Sequence, residues 1–232
     1  YDLIHLTLPS TWRLYAGRPG QRLVTVHDLS HVICAEHQTE SNRRTLAHGL
    51  ESARRENARF LAVSRSTARD FAAHAGLPLH EIPVIHEACR RELFHASSTP
   101  QHRAEVRKKL GIPPGPFILT LSRIEPRKNL IGIVRACRRL RQSRPELSFS
   151  LVLAGGQGWG DPRPLEAETS GCDWIRRTGH VDEADLAALY SEAKCSGCLS
   201  FYEGFCLPLP PTSIPSPPLS IGFSPISRCA TN

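Results

Sequence analysis

The sequence predicts an α/β protein built from two successive sets of parallel β-α units, and two observations carry that prediction. Short β-branched apolar runs alternate with longer amphipathic stretches, as when strands buried in a parallel sheet are joined by crossover helices. The texture breaks once, at about 96–116, where Ser-Ser-Thr-Pro, a basic helical stretch and Gly-Ile-Pro-Pro-Gly-Pro mark a linker. With 232 residues, the chain is long enough for one large core or two smaller ones.

The first set opens with residues 22–26, Arg-Leu-Val-Thr-Val, a buried strand that ends on His27 and Asp28. Residues 39–57, rich in Arg, Glu, Ala and Leu, predict a helix. Residues 60–63 predict the next strand, Ser64 or Ser66 can cap a helix over 67–74, and 83–86 predict a third strand. The second set begins with a strand at 117–121. Asn129 can cap a helix that places Leu130, Ile133, Val134, Cys137 and Leu140 on one face. A strand at 149–153 runs into Ala154-Gly155-Gly156. Asp182 can cap a helix burying Leu186, Leu189, Tyr190 and Ala193, and a strand at 195–200 delivers Glu203. In such sheets ligands bind outside the carboxyl ends of the strands. His27, Arg123, Gly155 and Glu203 each lie just past one.

Composition narrows the function classes. The formal charge is +7, which suits anionic ligands: nucleotides, sugar phosphates, nucleic acid or an acidic membrane surface. Nucleic acid is disfavoured, because no RNA-recognition motif, aromatic stacking stripe or basic repeat is present and only 6% of residues are aromatic. No run of about 18 apolar residues exists, so no transmembrane helix is expected. The eight cysteines show no secreted disulfide framework. Cys195-Ser-Gly-Cys198 has no second CxxC and no histidine pair at zinc spacing, so reduced apolar thiols and a cytoplasmic protein are expected. The chain starts at Tyr1 and contains no methionine, which suggests part of a longer protein.

The stretch 121–130, Leu-Ser-Arg-Ile-Glu-Pro-Arg-Lys-Asn-Leu, follows a strand and opens a helix. Arg123 and Lys128 can converge on a phosphate there, beside free helix N–H groups and the positive end of the macrodipole. A solvent-exposed loop with ordinary cations fits the same residues. His27 fits a packed histidine at a strand end as well as a catalytic one. Ser64 fits plain capping, and Gly155 and Gly156 fit either close backbone approach or a strand-ending turn.

Residues 122–129 resemble the G-R-x-E-P-R-K-N loop of group 1 (family 4) retaining glycosyltransferases. Further stretches agree in order: 24–29 with V-T-x-H-D-L, 62–67 with x-V-S-x-x-T/S, and 151–159 with L-V-L-A-G-x-x-G-W. Residues 178–190 resemble T-G-x-V…L-A-x-L-Y, and 202–208 resemble Y-E-G-F-G-L-P. Together they cover residues 1 to about 208. The resemblance implies the GT-B fold: two Rossmann-like β/α/β half-domains facing a cleft, here truncated at both ends. It divides the chain into an acceptor-side domain at 1–95, a linker at 96–116 and a nucleotide-sugar domain at 117–208.

The resemblance also implies transfer of a sugar from a nucleotide-sugar to an acceptor glycan or lipid-linked sugar, with retention of configuration. Arg123 and Lys128 would stabilise the leaving diphosphate without a metal or other cofactor. Glu203 would bind a hydroxyl of the donor sugar, and the N–H groups of Gly204, Phe205, Cys206 and Leu207 would face the diphosphate. Gly155 would let the backbone approach the ligand, and His27 would face donor and acceptor. Glu87 matches a variant of the family's segment before the linker and is given no role. A peripheral membrane contact is a further expectation from charge; oligomeric state is not indicated.

The chain departs from the family pattern after Pro208. The second glutamate, expected eight positions after Glu203 to bind the ribose, is Pro211. Cys206 stands for a glycine and would strain the turn if that position needs positive φ. Prolines at 210, 211, 215, 217, 218 and 225 forbid the expected helix, so 209–232 is expected to be an aberrant, disordered tail. An inactive remnant of the same family, and less so a basic phosphate- or nucleic-acid-binding α/β protein, are the rival readings.

Overall fold

The computed structural model describes residues 2–15, 17–89 and 98–206. These form two compact units, residues 2–88 with 202–206, and residues 89–201.

In the first unit, β1 (Leu3–Leu6), β2 (Gln21–Val26) and β3 (Arg59–Ala62) form a parallel sheet in that order. The register sets Val26 beside Ala62. Helix α1 (Ser30–Ile33) follows β2, and α2 (Glu40–Arg55) returns the chain to β3. Thr39 caps α2 by accepting from Asn42 N–H at 3.2 Å. Helix α3 (Arg65–Ala75) starts at Ser64, whose hydroxyl accepts from Thr67 N–H at 3.0 Å, and stops at Gly76 in the left-handed conformation. The core gathers Trp12, Val24, Val26, Leu29, Phe60, Ala62 and Phe71. Its largest side chain, Trp12, comes from a 3₁₀ turn ahead of β2 that the sequence pattern did not single out.

The strand expected at 83–86 is reduced to one parallel bridge, Ala62 to Val84. Proline supplies no donor, but the Pro83 carbonyl accepts from Ala62 N–H at 2.9 Å, and Ile85 N–H bonds back to the Ala62 carbonyl at 2.9 Å. The chain therefore still runs alongside β3 and leaves at the same end.

The second unit holds α4 (Pro100–Lys109), β4 (Phe117–Leu121), α5 (Leu130–Ser143), β5 (Ser150–Ala154), α6 (Arg163–Thr169), β6 (Ile175–Gly179), α7 (Glu183–Glu192) and β7 (Cys195–Ser196). Its sheet is parallel, in the order β6-β5-β4-β7. From residue 98 onward, the stretch expected as linker is part of this unit: Val106, Leu110 and Ile112 are buried with Phe117, Leu119, Val152 and Leu189. Lys109 ties α4 to α7 through Asp182 at 2.6 Å and the buried Asp185 at 2.7 Å. Asp182 stands at the start of α7 as expected, but its carboxylate takes Lys109 rather than capping the helix. The opposite face of the sheet packs Ile133, Val134, Cys137, Leu151 and Leu165. Burial among them pushes the Cys137 thiol up to about 12, the value of an inert apolar cysteine. The strand expected at 195–200 is paired only over Cys195–Ser196; Gly197 still bonds to β4 through Leu119 O at 2.8 Å and the Thr120 hydroxyl at 3.2 Å, and by Leu199 and Phe201 the chain is bonded to the loop after β4 instead.

Candidate active site

Two groups of the anticipated residues come together, one in each unit. In the second unit, the loop leaving β4 closes against the loop leaving β5. Ser122 N–H bonds to Ala154 O at 2.9 Å, Ile124 N–H to Gly156 O at 3.0 Å, and Gly158 N–H to Ile124 O at 3.2 Å. Gly155 has φ +133°, and any Cβ there would run into the Ser122 carbonyl. A side chain is therefore excluded twice over, by conformation and by space.

The four charges of the β4 loop separate by exposure. Glu125 and Arg127 are buried, 3.9 Å apart, and the Arg127 carbonyl accepts from Phe201 N–H at 2.9 Å. They hold the loop in place. Arg123 is exposed and Lys128 half-buried, at the two ends of the loop. Lys128 closes a 3₁₀ turn that runs straight into α5, where Asn129, at φ 51°, accepts from Gly132 N–H at 3.2 Å and donates to Leu199 O at 3.1 Å. Arg123 and Lys128 are thus the less buried cations of the loop, and the start of α5 follows Lys128 through the cap Asn129. Sequence alone could not separate Arg127 from its neighbours.

In the first unit, His27 sits immediately past β2, half-buried. Its Nδ1 is 2.7 Å from Glu87 Oε1 and its Nε2 is 2.8 Å from the Thr7 carbonyl. The segment 202–206 joins the same unit. Tyr202, buried, donates its hydroxyl to Asp70 of α3 at 2.8 Å; burial first, then Asp70, pushes its phenol well above the usual range. Thr67, fully buried, has its hydroxyl 3.3 Å from the Gly204 carbonyl and 3.4 Å from the His27 carbonyl. A Cβ at Gly204 would overlap the His27 carbonyl and crowd the Thr67 hydroxyl at 2.9 Å. The Glu203-Gly204 turn is therefore seated against the end of β2, which brings Glu203 into the neighbourhood of His27. Phe205 meets the His86 ring edge to face, centroids 5.7 Å apart. The strain expected at Cys206 does not arise: among the described residues, only Asn57 and Asn129 have positive φ outside glycine. Gly204 is required by contact, not by conformation. Leu207, Pro211 and the expected tail at 209–232 lie outside the described residues.

Sequence reasoning passed over Glu87, Thr67 and Asp70. Glu87 carried a signal, since it follows a predicted strand end just as His27 does. Thr67 and Asp70 lie one helical turn apart on α3, a spacing that places side chains on one face. Among the described residues no three His, Cys, Asp or Glu side chains gather as a metal site, and no helix is long and apolar enough to cross a membrane.

Two parallel β/α units, each with polar residues and glycines at its strand ends, define the Rossmann-like α/β class, in which ligands generally bind outside those ends. Residues 102–209 match the family model described as glycosyl transferases group 1. O-antigen chain mannosyltransferase B of Escherichia coli is 28% identical over 194 residues, covering 83% of this chain and 50% of the relative. D-inositol 3-phosphate glycosyltransferase of Pseudarthrobacter chlorophenolicus is 29% identical over 154 residues, covering 65% of this chain and 36% of the relative. Among solved structures, HepE of Anabaena in complex with UDP-glucose matches with a TM-score of 0.68 at 18% identity, over 87% of this chain and 54% of that one. The chain spans about half the length, or less, of these relatives. These matches support a group 1 glycosyltransferase, with the family model matched by residues 102–209, and the fold is GT-B.

Proposed function

We propose that this chain carries the nucleotide-sugar-handling part of a retaining glycosyltransferase. In the second unit, Arg123 and Lys128 take the diphosphate of the donor. As the bond to the anomeric carbon breaks, negative charge grows on the leaving phosphate, and two cations beside a helix start stabilise it without reorganising. Arg123 suits bidentate contact with phosphate oxygens and Lys128 acts as a point charge. No metal or other cofactor is required in this reading. Glu203 accepts a hydrogen bond from a hydroxyl of the donor sugar, and His27 faces the reacting sugar. The acceptor is a glycan or a lipid-linked sugar hydroxyl.

The observation that carries the reading is the sorting of the β4 loop, in which Arg123 is exposed and Lys128 half-buried while Glu125 and Arg127 are buried. The relatives named as mannosyl- and inositol-phosphate glycosyltransferases support a sugar donor. The neighbour solved with UDP-glucose supports a nucleoside diphosphate as the leaving group.

Calorimetry with UDP and GDP tests the site. Arg123→Ala or Lys128→Ala is expected to weaken nucleotide binding about tenfold or more, the scale of one lost charge-assisted hydrogen bond. Binding unchanged in both variants, or absent from the parent chain, refutes the assignment. Retention is read from the anomer released on turnover, by NMR. Pro211 at the expected ribose-binding position favours one second reading, a chain that binds nucleotide without turning it over.

A further inference from the structure

The end of β2 lies between two neighbours in the first sheet. On one side β1 leads to Thr7; on the other, beyond β3, the bridged segment 83–85 leads to Glu87. All these runs are parallel, so they deliver their next residues at the same end of the sheet. His27 is held from both flanks, Nε2 by the Thr7 carbonyl at 2.8 Å and Nδ1 by the Glu87 carboxylate at 2.7 Å.

The hydrogen-bond inventory fixes what this arrangement means. A backbone carbonyl only accepts, so the Nε2 contact requires a proton on Nε2. The second proton then lies on the Nδ1–Glu87 line, carried either by Nδ1 toward an ionised carboxylate or by the carboxyl toward Nδ1. In both forms one proton is shared between His27 and Glu87, and the ring can neither flip nor rotate without losing two hydrogen bonds. Glu87 has a quarter of its side chain exposed and His27 two fifths, so the pair is partly screened from water. The sheet end is also closed by Thr67 and Gly204, which meet the His27 carbonyl. Backbone and ring of His27 are thereby fixed by different partners.

We infer that Glu87 is the positioning residue for His27: it sets the imidazole orientation and holds the proton that the two groups share. The inference rests on the reading of His27 as a residue that faces the reacting sugar. His27 is not a free base, because both nitrogens are already engaged. Glu87 itself is not assigned a contact with substrate.

The test uses the whole chain. Long-range proton–nitrogen NMR spectra resolve histidine ring nitrogens, and the His27 signals are those missing from His27→Asn. Glu87→Ala is expected to shift the His27 Nδ1 signal while leaving the other assigned histidines and the melting transition in place. Glu87→Gln keeps a partner for Nδ1 through one amide atom or the other, so ring orientation is retained although the carboxylate proton is lost. With a nucleotide-sugar substrate, Glu87→Ala is expected to lower kcat about tenfold or more with little change in KM, the scale of a misplaced catalytic group. Glu87→Gln is expected to recover part of that loss. His27→Asn with Glu87→Ala is expected to fall no further than His27→Asn alone.

His27 ring signals identical in the parent chain and Glu87→Ala overturn the inference. So do coupled ring signals with kcat unchanged in Glu87→Ala, or losses that simply add in the double variant. If the parent chain neither binds nor turns over nucleotide-sugars, the glycosyltransferase reading of the site fails, and Glu87's part in transfer fails with it. The ring spectra then report separately whether the two side chains are coupled.

Discussion

At Gly204 the demand is steric. A methyl group there meets the carbonyl of His27 and the hydroxyl of Thr67, and both belong to well-packed backbone and helix. Gly204→Ala is expected to destabilise the first unit by about 1–3 kcal/mol, the usual cost of overpacking, and to displace Glu203 from the end of β2. A urea midpoint equal to that of the parent chain would show that the turn is not seated there. Cys206 teaches the converse: where the backbone does not enter positive φ, a family glycine can be replaced without strain. Charge at single residues was the least legible feature. Nothing in the sequence around Arg123, Glu125, Arg127 and Lys128 tells which charge is buried, and only the folded loop shows Glu125 and Arg127 inside and Arg123 exposed.

At the scale of elements, helix starts were legible. Thr39, Ser64 and Asn129 each bond the N–H three residues on, as short polar side chains before an apolar-periodic run do. Asp182 failed as a cap because Lys109, distant in sequence, offers its carboxylate a charged partner. The start of α5 is the strongest test, since Asn129 both caps it and adopts the left-handed conformation next to Lys128. Asn129→Ala is expected to cost about 1–2 kcal/mol in thermal or urea unfolding, and Asn129→Gly distinctly less, because glycine enters that conformation freely. Equal losses would mean that the backbone conformation contributes nothing. The weak strands at 83–85 and 195–196 were over-read for a common reason. An apolar run predicts burial, but pairing needs a neighbour in register, which among the described residues only Val84 of the first run and Cys195–Ser196 of the second find.

At the scale of the whole molecule, two separate cores carry two groups of site residues, and pH reaches the first of them through His31. That ring is buried, and neither nitrogen has a hydrogen-bond partner among the described residues. Burial holds its pKa below the ordinary 6.5; Asp28 opposes the shift, and His74 and Arg43 add to it. The unfolded chain therefore binds a proton near 6.5 that the folded chain resists. By linkage, stability is full above that pH and declines as pH falls below it. The urea midpoint of the parent chain is expected to drop between pH 7 and 5, with a smaller drop in His31→Leu. The same slope in both would assign the acid sensitivity to other groups.

The sequence by itself determined the α/β class, the two sets of β-α units, most helix starts and the family, because these follow from local periodicity, capping chemistry and ordered short motifs. Tertiary structure decided which residues meet. That Glu87 reaches His27, that Thr67 joins the end of β2 to the Glu203 turn, and that Arg127 is buried while Arg123 is not all depend on strand order and on contacts between residues far apart in the chain. Periodicity fixes which face of a strand is buried; it carries no information about which strand lies beside it.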